Sequence, residues 1–298
     1  MTARAWTADR PTVRLALAGL SLIGYALCLQ ALLGHGILGS GGEGGGDVIA
    51  YWTAGRHVLD GAPVYGAGVG GTAAFLYPPP FAQLFSVLSL APFPVAVWAW
   101  RAVEVVALRV AVGSWRNGGL VLLVWPPAIS ELDAGNVHLV IAAAVAMAIR
   151  GDSRALVPVA LTKFASLAAV PLAIVTDRRG LLVGIVVAGA VVAASIAMAP
   201  AMWVDYLHFM TNPIPVRDSG WADLGASIPL QLRLGAAAVF AAAAIRWRRL
   251  AAVAVTLALP ILWFQGLSTL VAAATPLTTP SVPAPPLRWS WTRRWAAR

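Results

Sequence analysis

Between Leu15 and Val271 the chain returns repeatedly to apolar runs. Several approach the roughly 20 residues that an α-helix needs to cross a bilayer, and arginines gather at their ends. Composition agrees: 59 % of the residues are hydrophobic and only 11 % charged, where a soluble domain carries about 25 % charged. Mean hydropathy is +0.78. The chain therefore reads as an all-α, multi-pass membrane protein. Its net charge of +9 does not point to nucleic acid, because the basic residues sit at the ends of apolar runs, where Arg and Lys mark cytoplasmic loops. Cys28 is the sole cysteine and falls within the first run, so no internal disulfide is expected.

Charge then sets the topology. Arg4, Arg10 and Arg14 precede the run Leu15–Leu33, which is too long for a signal-peptide core and lacks a small-x-small cleavage site. It reads as an uncleaved first helix with a cytoplasmic N-terminus, which delivers Asp47 to the outer face. Arg116, Arg150, Arg154, Arg178, Arg179, Arg246, Arg248 and Arg249 should all be cytoplasmic. Residues 81–113 cross once, with a break at Ala91-Pro92-Phe93-Pro94 before a spanning helix at 94–113. Arg101 and Glu104 stand three apart there and are expected to pair. Further helices are expected at 118–131, 137–149, 181–199, 231–245 and 250–271. The run 155–175 has basic clusters at both ends, and Lys163, the single lysine, lies mid-way along it. An ionisable group at that depth faces a cavity or a partner. A re-entrant or broken pair of short helices turning at Thr162–Ser166 obeys the charge rule. One continuous helix, with Lys163 paired to a carboxylate, is the alternative. Residues 1–271 read as one polytopic domain, and the Pro/Arg/Trp-rich 272–298 as a disordered tail.

On this topology the segment Asp47–Pro80 forms a long first outer loop. It shares its face with the turn Glu131–His138 and the loop 200–230. Asp47 follows a glycine-rich hinge and opens a short helix that Gly61 should stop. It suits a general base and equally a helix N-cap. Tyr51, Tyr65, Tyr77, Trp203 and Tyr206 suit sugar stacking, or the aromatic belt common to membrane proteins. Tyr77-Pro78-Pro79-Pro80 reads as a rigid extended lead into the next helix. No phosphate-cradling glycine loop or dinucleotide fingerprint is present. His35, His57, His138 and His208 are not spaced as a metal set, so no cofactor and no metal are expected. A nucleotide-sugar donor is thus unsupported. A lipid-linked donor would need a cation at depth, which Lys163 supplies against a phosphate.

The order Asp47, Tyr51, Gly61, Tyr65, Tyr77-Pro78, then Gly135-Asn136-Val137-His138, then Lys163 resembles the integral-membrane transferases of glycosyltransferase family 87 over about residues 15–200. That family includes polyprenol-phosphate-mannose-dependent α-mannosyltransferases. The resemblance implies a GT-C-type helical bundle in the plasma membrane, with Asp47 as inverting general base. Tyr51, Tyr77, Asn136, His138 and Lys163 would bind substrate. The partners implied are a polyprenyl-phosphate-sugar donor, a glycolipid acceptor and the lipid bilayer. The chain departs from the pattern: Asn136 and His138 stand where the family tends to have Gln and Asn, and no proline directly follows Lys163. The ending resembles GC-rich DNA read out of frame, as in a C-terminally truncated member. Other readings are an arabinosyl or other GT-C transferase, a lipid or solute transporter (although no hydropathy repeat is seen), or an inactive homologue.

Overall fold

The computed structural model describes residues 45–65, 75–211, 224–225 and 227–277, with scattered helical positions between 15 and 26. Most of the expected first span, the hinge at 41–44, the loop 212–223 and the tail from 278 onward lie outside the described residues. Among the described residues every regular element is helical.

Helix α1 (Gly46–Asp60) is bounded by Gly45 and Gly61, both left-handed with φ of 79° and 66°. Such backbone is open to glycine and strained for other residues. Gly45 is the N-cap and no side chain caps the helix, so Asp47 does not take the capping role that its position also suited. Of the three consecutive prolines only Pro78 is extended, whereas Pro79 and Pro80 form the first turn of α2 (Pro79–Leu88). There a missing N–H costs nothing. α3 (Phe93–Val112) follows the expected break and turns from α2 by 115°. Leu84 and Val87 of α2, and Leu90 just beyond it, form an exposed apolar edge.

The expected Arg101–Glu104 pair is absent. Arg101 Nε donates to Leu132 O at 3.0 Å, and its Nη2 lies 3.8 Å from Asp133 Oδ1. One guanidinium fork thus serves a carbonyl and a carboxylate at once. Both Glu104 carboxyl oxygens are buried and have no hydrogen-bond partner among the described residues.

Proline also divides helices that the hydropathy pattern joins. The stretch expected as 118–131 is α4 (Trp115–Val124) and α5 (Pro126–Ala134), because Pro126 and Pro127 cannot donate to the turn before them. α6 (His138–Arg150) follows the left-handed Gly135. The run 155–175 is α7 (Leu156–Ala160), an extended Lys163, a 3-10 helix at Phe164–Ala169 and α8 (Val170–Thr176). This is the broken form, not one continuous helix. α9 (Arg178–Met198) is continuous, and α10 (Pro200–Thr211) occupies the start of the loop expected at 200–230. After α11 (Leu230–Ala244), the helix expected at 250–271 divides into α12 (Leu250–Leu257) and a 3-10 helix at Phe264–Ala274. Arg233 of α11 satisfies the carbonyls of Leu259 and Pro260 at that break, at 2.7 and 2.8 Å.

α6 is the buried axis, packed chiefly by α3 and the last 3-10 helix. That 3-10 helix crosses residue 272, where the tail was expected to begin, and Thr275 beyond it is fully buried. Among the described helices only α9 is long and apolar enough to cross a membrane unbroken; α2 and α3 qualify only as a bent pair. α9 turns Leu182, Val183, Ile185, Val186 and Val187 outward. An apolar face of that extent suits lipid better than water.

Candidate active site

Three segments remote in sequence meet near the start of α6: the N-terminus of α1, the α5–α6 turn and the break at Lys163. Gly45 N donates to Asp133 O at 2.9 Å, tying α1 to the turn. Gly135 in that turn has φ 70°, and a Cβ there would lie 2.2 Å from Val48 Cγ2. Only glycine lets α1 approach so closely.

Around this junction runs one hydrogen-bonded network. Asp47 Oδ2 accepts from Asn136 Nδ2 at 2.7 Å. Asn136 Oδ1 then accepts from Val137 N at 2.8 Å, Lys163 Nζ at 2.9 Å and the Tyr77 hydroxyl at 3.2 Å. Lys163 Nζ also reaches His138 Nε2 at 2.9 Å. On its other side His138 faces Glu131, with Nδ1 to Oε2 at 2.8 Å and the backbone N to Oε1 at 2.6 Å. The partners assign the tautomer: Nδ1–H donates to the carboxylate, which leaves the Nε2 lone pair to accept from the ammonium. The Tyr51 and Tyr77 hydroxyls lie 2.8 Å apart. Because Tyr77 donates to Asn136, Tyr51 donates to Tyr77.

All six residues singled out from the sequence (Asp47, Tyr51, Tyr77, Asn136, His138 and Lys163) thus belong to one cluster. Their settings differ. Tyr51 is fully buried, with ring centroids of Phe81, Phe85 and Trp100 at 4.9, 5.3 and 6.0 Å, so it has no open face. Asp47 keeps partial exposure, and its Oδ1 accepts no hydrogen bond among the described residues. Burial raises its carboxyl above the ordinary carboxylate range, and the nearby Lys163 ammonium draws it back down. Lys163 commits two N–H groups to Asn136 and His138 and holds a third, with Nζ 5.7 Å from the Tyr77 ring centre.

Glu131 is the member that sequence reasoning missed, having named it only as the start of the outer turn Glu131–His138. It is fully buried and grips His138 at both the ring and the backbone. The signal was present: an acid and a histidine seven apart, flanking a glycine turn. Other carboxylates and histidines of the expected outer loops stand elsewhere. Asp60 pairs with Arg56 at 3.5 Å, and His57 Nδ1 lies 2.8 Å from Pro63 O. Glu43, Asp218, Asp223 and His35 lie outside the described residues.

The model of glycosyltransferase family 87 matches residues 75–275. The match starts later and runs further than the 15–200 suggested by the motif order. It takes in Tyr77, Glu131, Asn136, His138 and Lys163, and begins after Asp47 and Tyr51. No curated protein and no solved structure matches the chain.

Proposed function

Because the chain belongs to glycosyltransferase family 87 and so is a membrane glycosyltransferase, we propose that it moves mannose from a polyprenyl-phosphate donor to an envelope glycolipid or lipoglycan. Asp47 is the general base in this reading. The observation that carries it is the bridge from Asp47 through Asn136 to Lys163, with contacts of 2.7 and 2.9 Å. A base and a phosphate-binding cation are thereby held at the two polar atoms of one amide, a pairing that supports transfer from a phosphate-linked sugar.

The acceptor hydroxyl attacks the anomeric carbon from the face opposite the phosphate. The bond from that carbon to the phosphate oxygen breaks with inversion, and its electron pair leaves on the phosphate. The hydroxyl proton passes to the open Oδ1 of Asp47, since Oδ2 is engaged by Asn136. The remaining Lys163 N–H faces the phosphate and counters its growing charge. Glu131 and His138 orient that ammonium, while Tyr77 and Asn136 line the approach. Tyr51, fully buried, positions Tyr77. The site lies on the outer face of the plasma membrane in a GT-C-type multi-pass bundle, with the break at Lys163 as its re-entrant element.

The test supplies labelled polyprenyl-phosphate-mannose and a mannosylated phosphatidylinositol to membranes bearing wild type or Asp47→Asn. Loss of a general base should cut transfer by about 10²–10⁴. Equal transfer by both proteins removes Asp47 from the role.

A further inference from the structure

Far from the Asp47 site in the chain, three segments line an open, strongly basic pocket of about 440 Å³. Its lining is Arg150 at the end of α6, Arg246, Arg248 and Arg249 from the α11–α12 turn, and the apolar Ile149, Trp247 and Leu277. No carboxylate lines it, and among the described residues none of these arginines is within ion-pair distance of an acid. Three of the guanidinium groups are anchored instead on neutral oxygens. Arg150 donates to Val110 O at 3.0 Å and to Thr275 Oγ1 at 2.6 Å. Arg248 reaches Ile149 O and Arg249 reaches Thr275 O, each at 3.4 Å.

A soluble-facing cluster of four like charges would be scattered or paired with acids. Here it is gathered and lies beyond ion-pair distance of any acid among the described residues, while Asp152, held by Arg154 at 2.7 Å, acts on Arg150 from further off. We infer that this pocket binds the phosphate of an anionic phospholipid headgroup. Arginine forks match phosphate oxygens bidentately, and the volume falls in the range of small-ligand sites. The apolar rim argues for a lipid source. Trp247 and Leu277 are exposed beside the arginines, an arrangement suited to the headgroup level, where a ring contacts acyl chain and water together. Basic pockets between membrane helices bind anionic headgroups in this way. The inference is independent of the transferase reading, since none of these residues touches the Asp47 network.

Native mass spectrometry of the full chain in detergent tests it. Phosphatidylglycerol and phosphatidylcholine are titrated in separate arms, with sn-glycerol 3-phosphate as the soluble phosphate. Wild type should retain the anionic lipid about tenfold better than the zwitterionic one, from the attraction that each surface arginine adds. Arg246→Gln with Arg249→Gln should erase most of that preference. The double lysine variant, which keeps the charge, should preserve part of it and guards against misfolding as the cause. Equal retention of both lipids by wild type, or an unchanged preference in the glutamine variant, overturns the site. Binding of glycerol phosphate as strong as that of the lipid overturns the bilayer as its source.

Discussion

Replacing Lys163 by methionine should move the acid limb of kcat/KM to higher pH. With Asp47 as the proposed base, transfer needs it ionised, so the rate should fall as pH drops through the Asp47 pKa, which burial already holds above the ordinary range while Lys163 lowers it. With the ammonium gone the lowering influence is lost, the pKa climbs further, and the limb follows it upward. A pH–rate profile with a stationary limb would show that the two groups do not interact in solution. Glu131→Gln makes a different prediction. Both carboxylate oxygens accept, one from the His138 ring and one from its backbone N–H, so the amide NH2 of glutamine must face a donor. That mismatch should cost about 1–3 kcal/mol, read as a lower unfolding temperature in detergent, together with weaker donor binding as His138 and Lys163 lose their orientation. The polar residues of this cluster were legible because each stands out in an apolar chain. Their hydrogen-bond order was not, since it depends on how closely Val48 approaches Gly135.

At the scale of elements, the α1 approach rests on that one glycine. Gly135→Ala adds a Cβ 2.2 Å from Val48 Cγ2 at a left-handed position. Strain and overpacking together should cost about 2–4 kcal/mol, and the displaced α1 should carry Asp47 away from Asn136. Transfer then falls more than stability alone explains, which activity per folded molecule measures. The positions of apolar helices were readable from hydropathy, as α3, α6, α9 and α11 show. Their continuity was less so. Pro126-Pro127 and Leu259-Pro260 divide stretches that hydropathy alone joins, and the second break is stabilised by Arg233, a long-range contact that no local pattern records. The broken run at Lys163 was legible because charge at both ends disfavoured a single crossing.

For the whole molecule, the outward apolar face of α9 makes a demand on its surroundings. Val186 is 70 % exposed near the middle of that helix. Arginine there should oppose membrane insertion by about 2.5–3.5 kcal/mol, seen as protein lost from the membrane fraction. Full recovery of Val186→Arg in membranes would mean that α9 does not face lipid. The 115° turn between α2 and α3 has a consequence for kinetics. With α3 upright, α2 lies nearly along the membrane plane and offers the edge of Leu84, Val87 and Leu90 to acyl chains. A lipid acceptor then arrives by lateral diffusion in two dimensions. The rate should follow the acceptor's mole fraction in the bilayer, so adding inert lipid at fixed bulk acceptor should slow transfer by surface dilution.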